Sequence, residues 1–149
     1  MIRKIRKEDK SFYFDMAKNF YSSDAVYHNV PEKHIINTFN ELMRSDNYAT
    51  GYIMEYESNI AGYALLAKTF SQEAGGMVLW IEELYVMPEY RCCGLGHEFF
   101  SYLKNNLCDN IKRIRLEVED SNKKAISLYK NMGFKNLPYS QMINDSYKH

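Results

Sequence analysis

The stretch from Val86 to His97 contains residue types that can hold an anion. Arg91 and the spaced glycines Gly94 and Gly96 follow an apolar segment and precede the periodic apolar residues of a helix. Free backbone N–H groups at the start of a helix, together with its dipole, can bind a pyrophosphate, and glycine lets the backbone approach the oxygens closely. The stretch therefore predicts a phosphate-binding loop, although a tight strand-to-helix turn without a ligand fits the same residues.

Two adjacent carboxylates, Glu82 and Glu83, lie in the apolar segment before this loop. The aliphatic residues Leu79 and Ile81 are odd-numbered, whereas Leu84 and Val86 are even-numbered. Val78 and Trp80 are apolar as well, but a β-bulge would explain such a change of parity, and bulges are frequent beside active sites. Neighbouring strand residues point to opposite faces unless a bulge intervenes. We therefore expect one of the two glutamates to face a cleft, and favour Glu82, while the other is a solvated or salt-bridged carboxylate.

A second polar segment, from Leu116 to Phe134, predicts a strand followed by a capped helix. Asn122 is a favourable N-cap residue, and Gly133 is placed to end the helix in a left-handed conformation. Tyr129 falls on the apolar face of this helix. Taken alone, this segment would make Asn122 only a helix cap and Tyr129 only an aromatic residue of the core.

The rest of the sequence predicts the elements that position these residues in one mixed α/β domain over residues 1–149. Apolar residues at helical spacing predict four helices, and alternating or continuous apolar runs predict strands. The helices are expected over 8–21, from a first turn that contains Pro31, over 94–107 and after Asn122. The strands are expected over 1–5, 50–56, 60–69, 77–86, 111–118 and 134–143, with a hairpin turn at Ser58 and Asn59.

Taken together and in this order, the segments resemble the GNAT (Gcn5-related) N-acetyltransferase superfamily. The Arg-x-x-Gly-x-Gly sequence that begins at Arg91 is similar to the family's acyl-CoA pyrophosphate loop, and residues 80–90 resemble the strand and turn that precede it. Residues 122–134 resemble the family's Asn-x-x-Ala-x-x-Leu-Tyr-x-x-x-Gly-Phe segment. The specific match covers residues 77–136, whereas the N-terminal half fits only in the order of its elements.

The resemblance implies a GNAT fold and acetyl-CoA as the co-substrate, with no metal. In this fold a mixed central sheet of six or seven strands splays apart between its fourth and fifth strands, with about four helices on its faces. The pantetheine arm would lie in the gap, against backbone groups of Leu84 and Val86, and amides of residues 92–97 would hold the pyrophosphate. The residues implied in cofactor binding are Leu84, Tyr85, Val86, Arg91, Cys92, Cys93, Gly94, Leu95, Gly96, His97, Asn122, Ala125 and Tyr129.

Cys92 departs from the family pattern, because many members have glycine at this position. The amide remains, so phosphate binding is expected to survive if Cys92 avoids a positive φ. We expect Cys92 and Cys93 to be small packing residues rather than nucleophiles, since the family's reaction is a direct transfer. Arg91 is expected either to add charge to the loop or to brace the turn.

Direct transfer needs a neutral amine, and therefore a proton acceptor, and it needs a proton donor for the leaving thiolate. The resemblance makes Tyr129 the acid. A carboxylate of Glu82 or Glu83 would bind or deprotonate the amine.

Within the family, the chain loosely resembles diamine and polyamine acetyltransferases of the spermidine/spermine type. Phe70 falls where those enzymes have an aromatic loop beside the substrate, and Tyr27 and His28 could line the acceptor side. The acidic residues of the neighbouring strands favour a primary amine of a small cationic molecule. A protein or peptide acceptor, which needs an open groove, and a non-catalytic acyl-CoA-binding module are the alternatives; retention of Tyr129 and the paired glutamates argues against the module.

Composition excludes several other classes of protein. The chain has 149 residues with 19 basic and 19 acidic side chains, and a neutral chain is not held mainly by nucleic-acid phosphates or an anionic membrane. No stretch approaches the ~18 apolar residues of a spanning helix, the N-terminus leads into no signal-peptide core, and three cysteines and four histidines show no metal-ligand spacing. We expect a cytoplasmic protein that forms a homodimer, as is usual in the family.

Overall fold

The computed structural model describes residues 1–23, 26 and 29–146. Within these residues, five strands form one sheet in the order β1-β2-β3-β4-β5. All neighbours are antiparallel except β4 and β5, which are parallel. The elements are β1 (Ile2–Lys4), α1 (Lys10–Tyr21), α2 (Glu32–Arg44), β2 (Ala49–Tyr56), β3 (Asn59–Ser71), β4 (Gly76–Val86), α3 (Leu95–Asn106), β5 (Ile111–Leu116) and α4 (Lys123–Asn131), with short 3-10 turns at Lys7–Asp9 and Pro88–Tyr90.

Alternating strand residues divide the core between the two faces of the sheet. Tyr63 packs with the helices α1 and α2, whereas the adjacent Ala64 packs with α3. The same division separates Ile53 from Met54, because successive strand side chains point to opposite faces. The result is a three-layer arrangement, with α1 and α2 on one face of the sheet and α3 and α4 on the other, in line with the four helices expected on its faces.

The predicted helices are confirmed, with ends that shift by one or two residues. Pro31 is the N-cap of α2 rather than a residue of its first turn. The hairpin turn also shifts by one residue, because Glu57 and Ser58 take positive φ values of 48° and 67°. A two-residue turn with both φ values positive matches the twist of the strands that it joins.

The prediction of strands over residues 134–143 is wrong, so the sheet has five strands among the described residues rather than six or seven. Pro138 has no N–H to donate to a neighbouring strand. The side chains of Tyr139, Met142 and Ile143 are exposed, so no apolar face holds this segment against the sheet.

No helix in the described part of the chain combines the length and the apolar character needed to cross a bilayer.

Candidate active site

The two parallel strands β4 and β5 separate halfway along β4. They pair from Met77 opposite Ile111 to Ile81 opposite Leu116 and no further, while β4 continues along β3 to Val86. A gap therefore opens beyond Ile81, between the two strands that the family resemblance implies to splay apart.

The predicted β-bulge lies at the start of this gap. Leu65 of β3 is opposite Glu83 and Leu66 is opposite Ile81, so Glu82 is the extra residue. The two neighbouring glutamates have different surroundings even though Glu82 is the bulged residue. Glu82 lines the gap, whereas Glu83 is only 6% exposed and lies in the layer of α1.

The gap forms a cleft of about 440 Å³ between the end of α1, the strands β4 and β5, and the start of α4. Among the described residues, its lining includes four carboxylate side chains and no lysine or arginine. Partial burial, and then repulsion from Glu117, raise the pKa of Glu82 above that of an ordinary glutamate. The lining residues are Phe20, Tyr21, Val26, Ile81, Glu82, Leu84, Leu116, Glu117, Val118, Glu119, Asp120, Asn122 and Tyr129.

Backbone groups of β4 point into the gap. The N–H of Met87 donates to the carbonyl of Ala61 at 2.8 Å, so the odd-numbered residues at this end of β4 pair with β3. Backbone groups alternate in direction along a strand, and those of Leu84 and Val86 therefore face the gap. Nε of Arg91 donates to the carbonyl of Val86 at 3.0 Å, so Arg91 braces the turn.

The predicted phosphate-binding loop joins this turn to α3. Gly94 is the N-cap of α3 with a φ of 81°, a conformation that favours glycine. His97 follows in the first turn of the helix, whereas Leu95 is buried. The side chain of Tyr85 is also buried, in the layer of α1 and α2, so only its backbone could contact a cofactor.

Both cysteines of this loop differ from the sequence-based picture. Cys92 has a φ of 64°, so the condition attached to phosphate binding, that Cys92 avoids a positive φ, is not met. Cys92 and Cys93 are both exposed rather than packed, because the loop projects from the end of the sheet. Each residue nevertheless keeps a backbone N–H in the loop.

The helix α4 carries Tyr129 to the opposite side of the cleft. Oδ1 of Asn122 accepts a hydrogen bond from the N–H of Ala125 at 3.2 Å, which caps the start of the helix. At its end, the N–H of Phe134 donates to the carbonyl of Tyr129 at 3.0 Å and the N–H of Gly133 to that of Lys130 at 3.1 Å, which is the Schellman motif.

Aromatic packing then fixes the ring of Tyr129. Its centroid is 5.9 Å from that of Phe100 and 5.9 Å from that of Phe134. Burial raises the pKa of the Tyr129 phenol, so the hydroxyl keeps its proton at neutral pH.

Glu83 belongs to a cluster of tyrosines that sequence reasoning missed. Its carboxylate accepts hydrogen bonds from the hydroxyls of Tyr21 and Tyr63, the latter at 2.6 Å. It is 6% exposed and, among the described residues, has no salt-bridge partner, so the alternative expected for the second glutamate is wrong. A buried carboxylate must find donors, but no sequence signal identifies Tyr21 and Tyr63 as those donors.

The proposed acceptor-side residues do not all meet at the cleft. Phe70 is opposite Met77, at the far end of β4, and is 71% exposed; it does not line the cleft. Tyr27 and His28 lie outside the described residues.

Comparisons with known proteins support an acetyltransferase fold and family. Residues 5–134 match the acetyltransferase (GNAT) family. The thialysine N-epsilon-acetyltransferase of Mus musculus is 36% identical over 85 residues, which are 56% of this chain and 49% of that protein. The chain therefore spans about half the length of this curated relative.

Two solved structures share the fold across nearly the whole chain. A possible acetyltransferase from Clostridium difficile 630 has a TM-score of 0.83 at 20% identity, covering 99% of this chain and 98% of that one. A predicted acetyltransferase from Clostridium acetobutylicum, solved with acetyl-CoA, has a TM-score of 0.77 at 21% identity. The match covers 100% of this chain and 98% of that one.

Proposed function

Because the chain belongs to the acetyltransferase (GNAT) family, we propose that it transfers an acetyl group directly from acetyl-CoA to a primary amine of a small cationic molecule. The observation that carries the proposal is the acidic cleft between β4 and β5, with Glu82 and Tyr129 both in its lining. A proton acceptor and a proton donor in one cleft are what acyl transfer to an amine requires.

The residues present fit an acyl-CoA. Backbone groups of Leu84 and the N–H of Val86 face the gap and are free of the β5 ladder, so they can pair with the amides of a pantetheine arm. Amides of residues 92–97 stand at the start of α3, where a helix favours a pyrophosphate. A Cβ at Gly94 would meet no heavy atom within 4 Å, so the loop has open space beside it.

Glu82 is the proton acceptor of the proposed reaction, and Tyr129 is its proton donor. Glu82 takes one proton from the acceptor ammonium, which leaves a nitrogen lone pair. A bond then forms between that nitrogen and the acetyl carbon, the bond from carbon to sulfur breaks, and Tyr129 gives its proton to the sulfur. The nitrogen loses its second proton to the phenolate of Tyr129, which becomes neutral again, so each turnover releases only the proton held by Glu82.

The charge and size of the cleft support a small cationic acceptor. Four carboxylates favour an ammonium group over a neutral or acidic ligand, and about 440 Å³ is within the usual range for a small-molecule site. The mouse relative is named for acetylation of thialysine, so thialysine is a suitable first acceptor to test.

An amine panel with a free-thiol readout tests this proposal. The panel contains thialysine, lysine, spermidine, an aminoglycoside and a lysine-containing peptide. We expect saturable thiol release with a small cationic amine and release at background level from the Tyr129→Phe variant. Release with the peptide alone would favour a peptide acetyltransferase, and tight acetyl-CoA binding without release for any amine would favour a binding module.

The homodimer and the cytoplasmic location expected from the sequence stay predictions, and sedimentation velocity tests the first.

A further inference from the structure

A second, smaller cavity of about 120 Å³ lies on the α1 and α2 side of the sheet, directly behind the cleft. Glu82 lines the cleft and its neighbour Glu83 lines this small cavity. Tyr21 is the only described residue that lines both. The complete lining of the small cavity is Tyr13, Ala17, Tyr21, Val30, His34, Ile35, Thr38 and Glu83.

Glu83 is an unusual carboxylate, because it is 6% exposed and, among the described residues, has no lysine, arginine or histidine in an ion pair with it. Each of its oxygens instead accepts one phenol hydrogen bond, Oε1 from Tyr21 and Oε2 from Tyr63. The titratable groups around it are Tyr13 and Tyr21 on α1, Tyr63 on β3, His34 on α2 and Glu82 on its own strand. These two hydrogen bonds compensate only part of the cost of burying a charge.

Tyr21 and Glu83 form a continuous link between the two cavities. The hydroxyl of Tyr21 donates directly to Oε1 of Glu83. A phenol oxygen can accept a proton while it gives up its own, so a proton can pass without forming a phenolate. His34, which is exposed, lines the far cavity, so that cavity reaches the protein surface.

We propose that Tyr21 and Glu83 are the outlet for the proton released in each turnover. The inference rests on the proposed function. The proton held by Glu82 moves through water in the cleft to the oxygen of Tyr21, and the hydroxyl proton of Tyr21 moves to Oε1 of Glu83. Glu83 then passes a proton to water in the small cavity, which leaves both glutamates ionised and Tyr21 neutral.

The need for such an outlet follows from the geometry of the cleft. Glu82 lines the cleft itself. Bound acetyl-CoA and acceptor would therefore block the direct path of a proton from Glu82 to bulk solvent. Burial raises the pKa of Glu83, although the phenols of Tyr21 and Tyr63 partly counteract this effect. A carboxylate with a raised pKa accepts a proton more readily near neutral pH.

The variants Tyr21→Phe and Tyr63→Phe form a matched pair that tests the outlet. Each removes one phenol hydroxyl from the same carboxylate, but only Tyr21 lines the cleft. We expect Tyr21→Phe to lower kcat about tenfold and Tyr63→Phe to change it by no more than about twofold. Calorimetry should give both variants the acetyl-CoA affinity of the wild type.

Chemical rescue distinguishes proton transfer from a structural role. A small buffer such as imidazole can carry a proton in place of the missing hydroxyl, so kcat of Tyr21→Phe should rise with imidazole concentration while that of Tyr63→Phe does not. Equal losses in the two variants, an unaffected Tyr21→Phe variant, or a loss that imidazole does not restore would each overturn the outlet. Lack of turnover by the wild type with every amine would instead refute the proposed function, and the outlet with it.

Discussion

Gly96 in the first turn of α3 packs so closely against Leu128 of α4 that an added Cβ would lie 2.8 Å from Leu128 Cδ2. Leu128 directly precedes Tyr129, which lines the cleft. The contact therefore links the helix that starts at the phosphate-binding loop to the helix that carries the proposed acid. The missing side chain at Gly96 sets how close the two helices come.

We expect Gly96→Ala to lower kcat while changing stability little. The added methyl group must displace Leu128, which costs about 1 kcal/mol, but alanine favours a helix over glycine by a similar amount, about 1 kcal/mol. The displacement would move Tyr129. Steady-state kinetics and thermal unfolding measure the two effects.

The double variant Gly96→Ala/Leu128→Val is the control, because valine lacks the crowded Cδ atoms. It should recover part of the lost kcat. Full activity of Gly96→Ala alone would show that the contact does not position Tyr129.

Gly94→Glu and Gly94→Gln test the phosphate-binding loop. Both side chains strain the same left-handed position, where φ is 81°, and they differ only in charge. We expect acetyl-CoA affinity to fall at least about tenfold further for Gly94→Glu than for Gly94→Gln, because the carboxylate repels the pyrophosphate. In calorimetry the difference should shrink as salt is added, and equal affinities would place the phosphates elsewhere.

Tyr129→Phe should keep acetyl-CoA binding but lose most of its turnover. Removal of the phenol proton leaves the thiolate without a donor, and we expect kcat to fall about a hundredfold or more. Since burial raises the pKa of the Tyr129 phenol, the wild-type rate should not decline at mildly alkaline pH through loss of this proton. Single-turnover kinetics with saturating acetyl-CoA measure the step, and an undiminished rate would remove Tyr129 as the acid.

The pH dependence of kcat/KM should report the ionisation of the Glu82 carboxyl group. Burial and Glu117 raise the pKa of this carboxyl, and only its ionised form accepts a proton. The rate should therefore fall as the pH drops through the raised pKa, and Glu82→Gln should lower kcat/KM about a hundredfold.

Glu117→Gln is the matched variant for this pH profile. It removes the repulsion that contributes to the raised pKa of Glu82, so the acidic limb should move to lower pH. If the acidic limb of the kcat/KM profile stays in place or moves to higher pH, a group other than Glu82 controls the loss of activity at low pH.

Cys92→Gly should stabilise the fold, because Cys92 has a φ of 64°. A left-handed conformation costs a residue with a Cβ roughly 1–2 kcal/mol, part of which glycine loses again through its more flexible unfolded state. We expect a net gain of up to about 1 kcal/mol in the free energy of unfolding. Cys93→Gly, at a position without a positive φ, should be destabilising instead, and urea unfolding of both variants distinguishes the two cases.

Much of the site could be predicted because its signals are local in the chain. The change of apolar parity between Ile81 and Leu84 predicted the bulge, and Asn122 and Gly133 marked the ends of α4. Backbone conformation depends largely on neighbouring residues, so bulges, caps and the loop motif can be recognised from short stretches.

The C-terminal segment shows where local signals fail. Residues 134–143 contain apolar side chains that predicted strands, but a strand also needs a partner and a face to bury. Met142 is 93% exposed, and among the described residues this segment joins no sheet. Its apolar composition alone carried no information about either requirement.

The sequence by itself determined the family, the order of the elements as far as α4 and the presence of two glutamates at a bulge. Only the tertiary structure decided that Glu83 is buried beneath Tyr21 and Tyr63, which are 62 and 20 residues away in the chain. Such contacts depend on how helix α1 packs on the sheet, and this packing is the sum of many weak interactions between distant residues. For that reason, local patterns could indicate the two carboxylates but not the separate cavities into which they point.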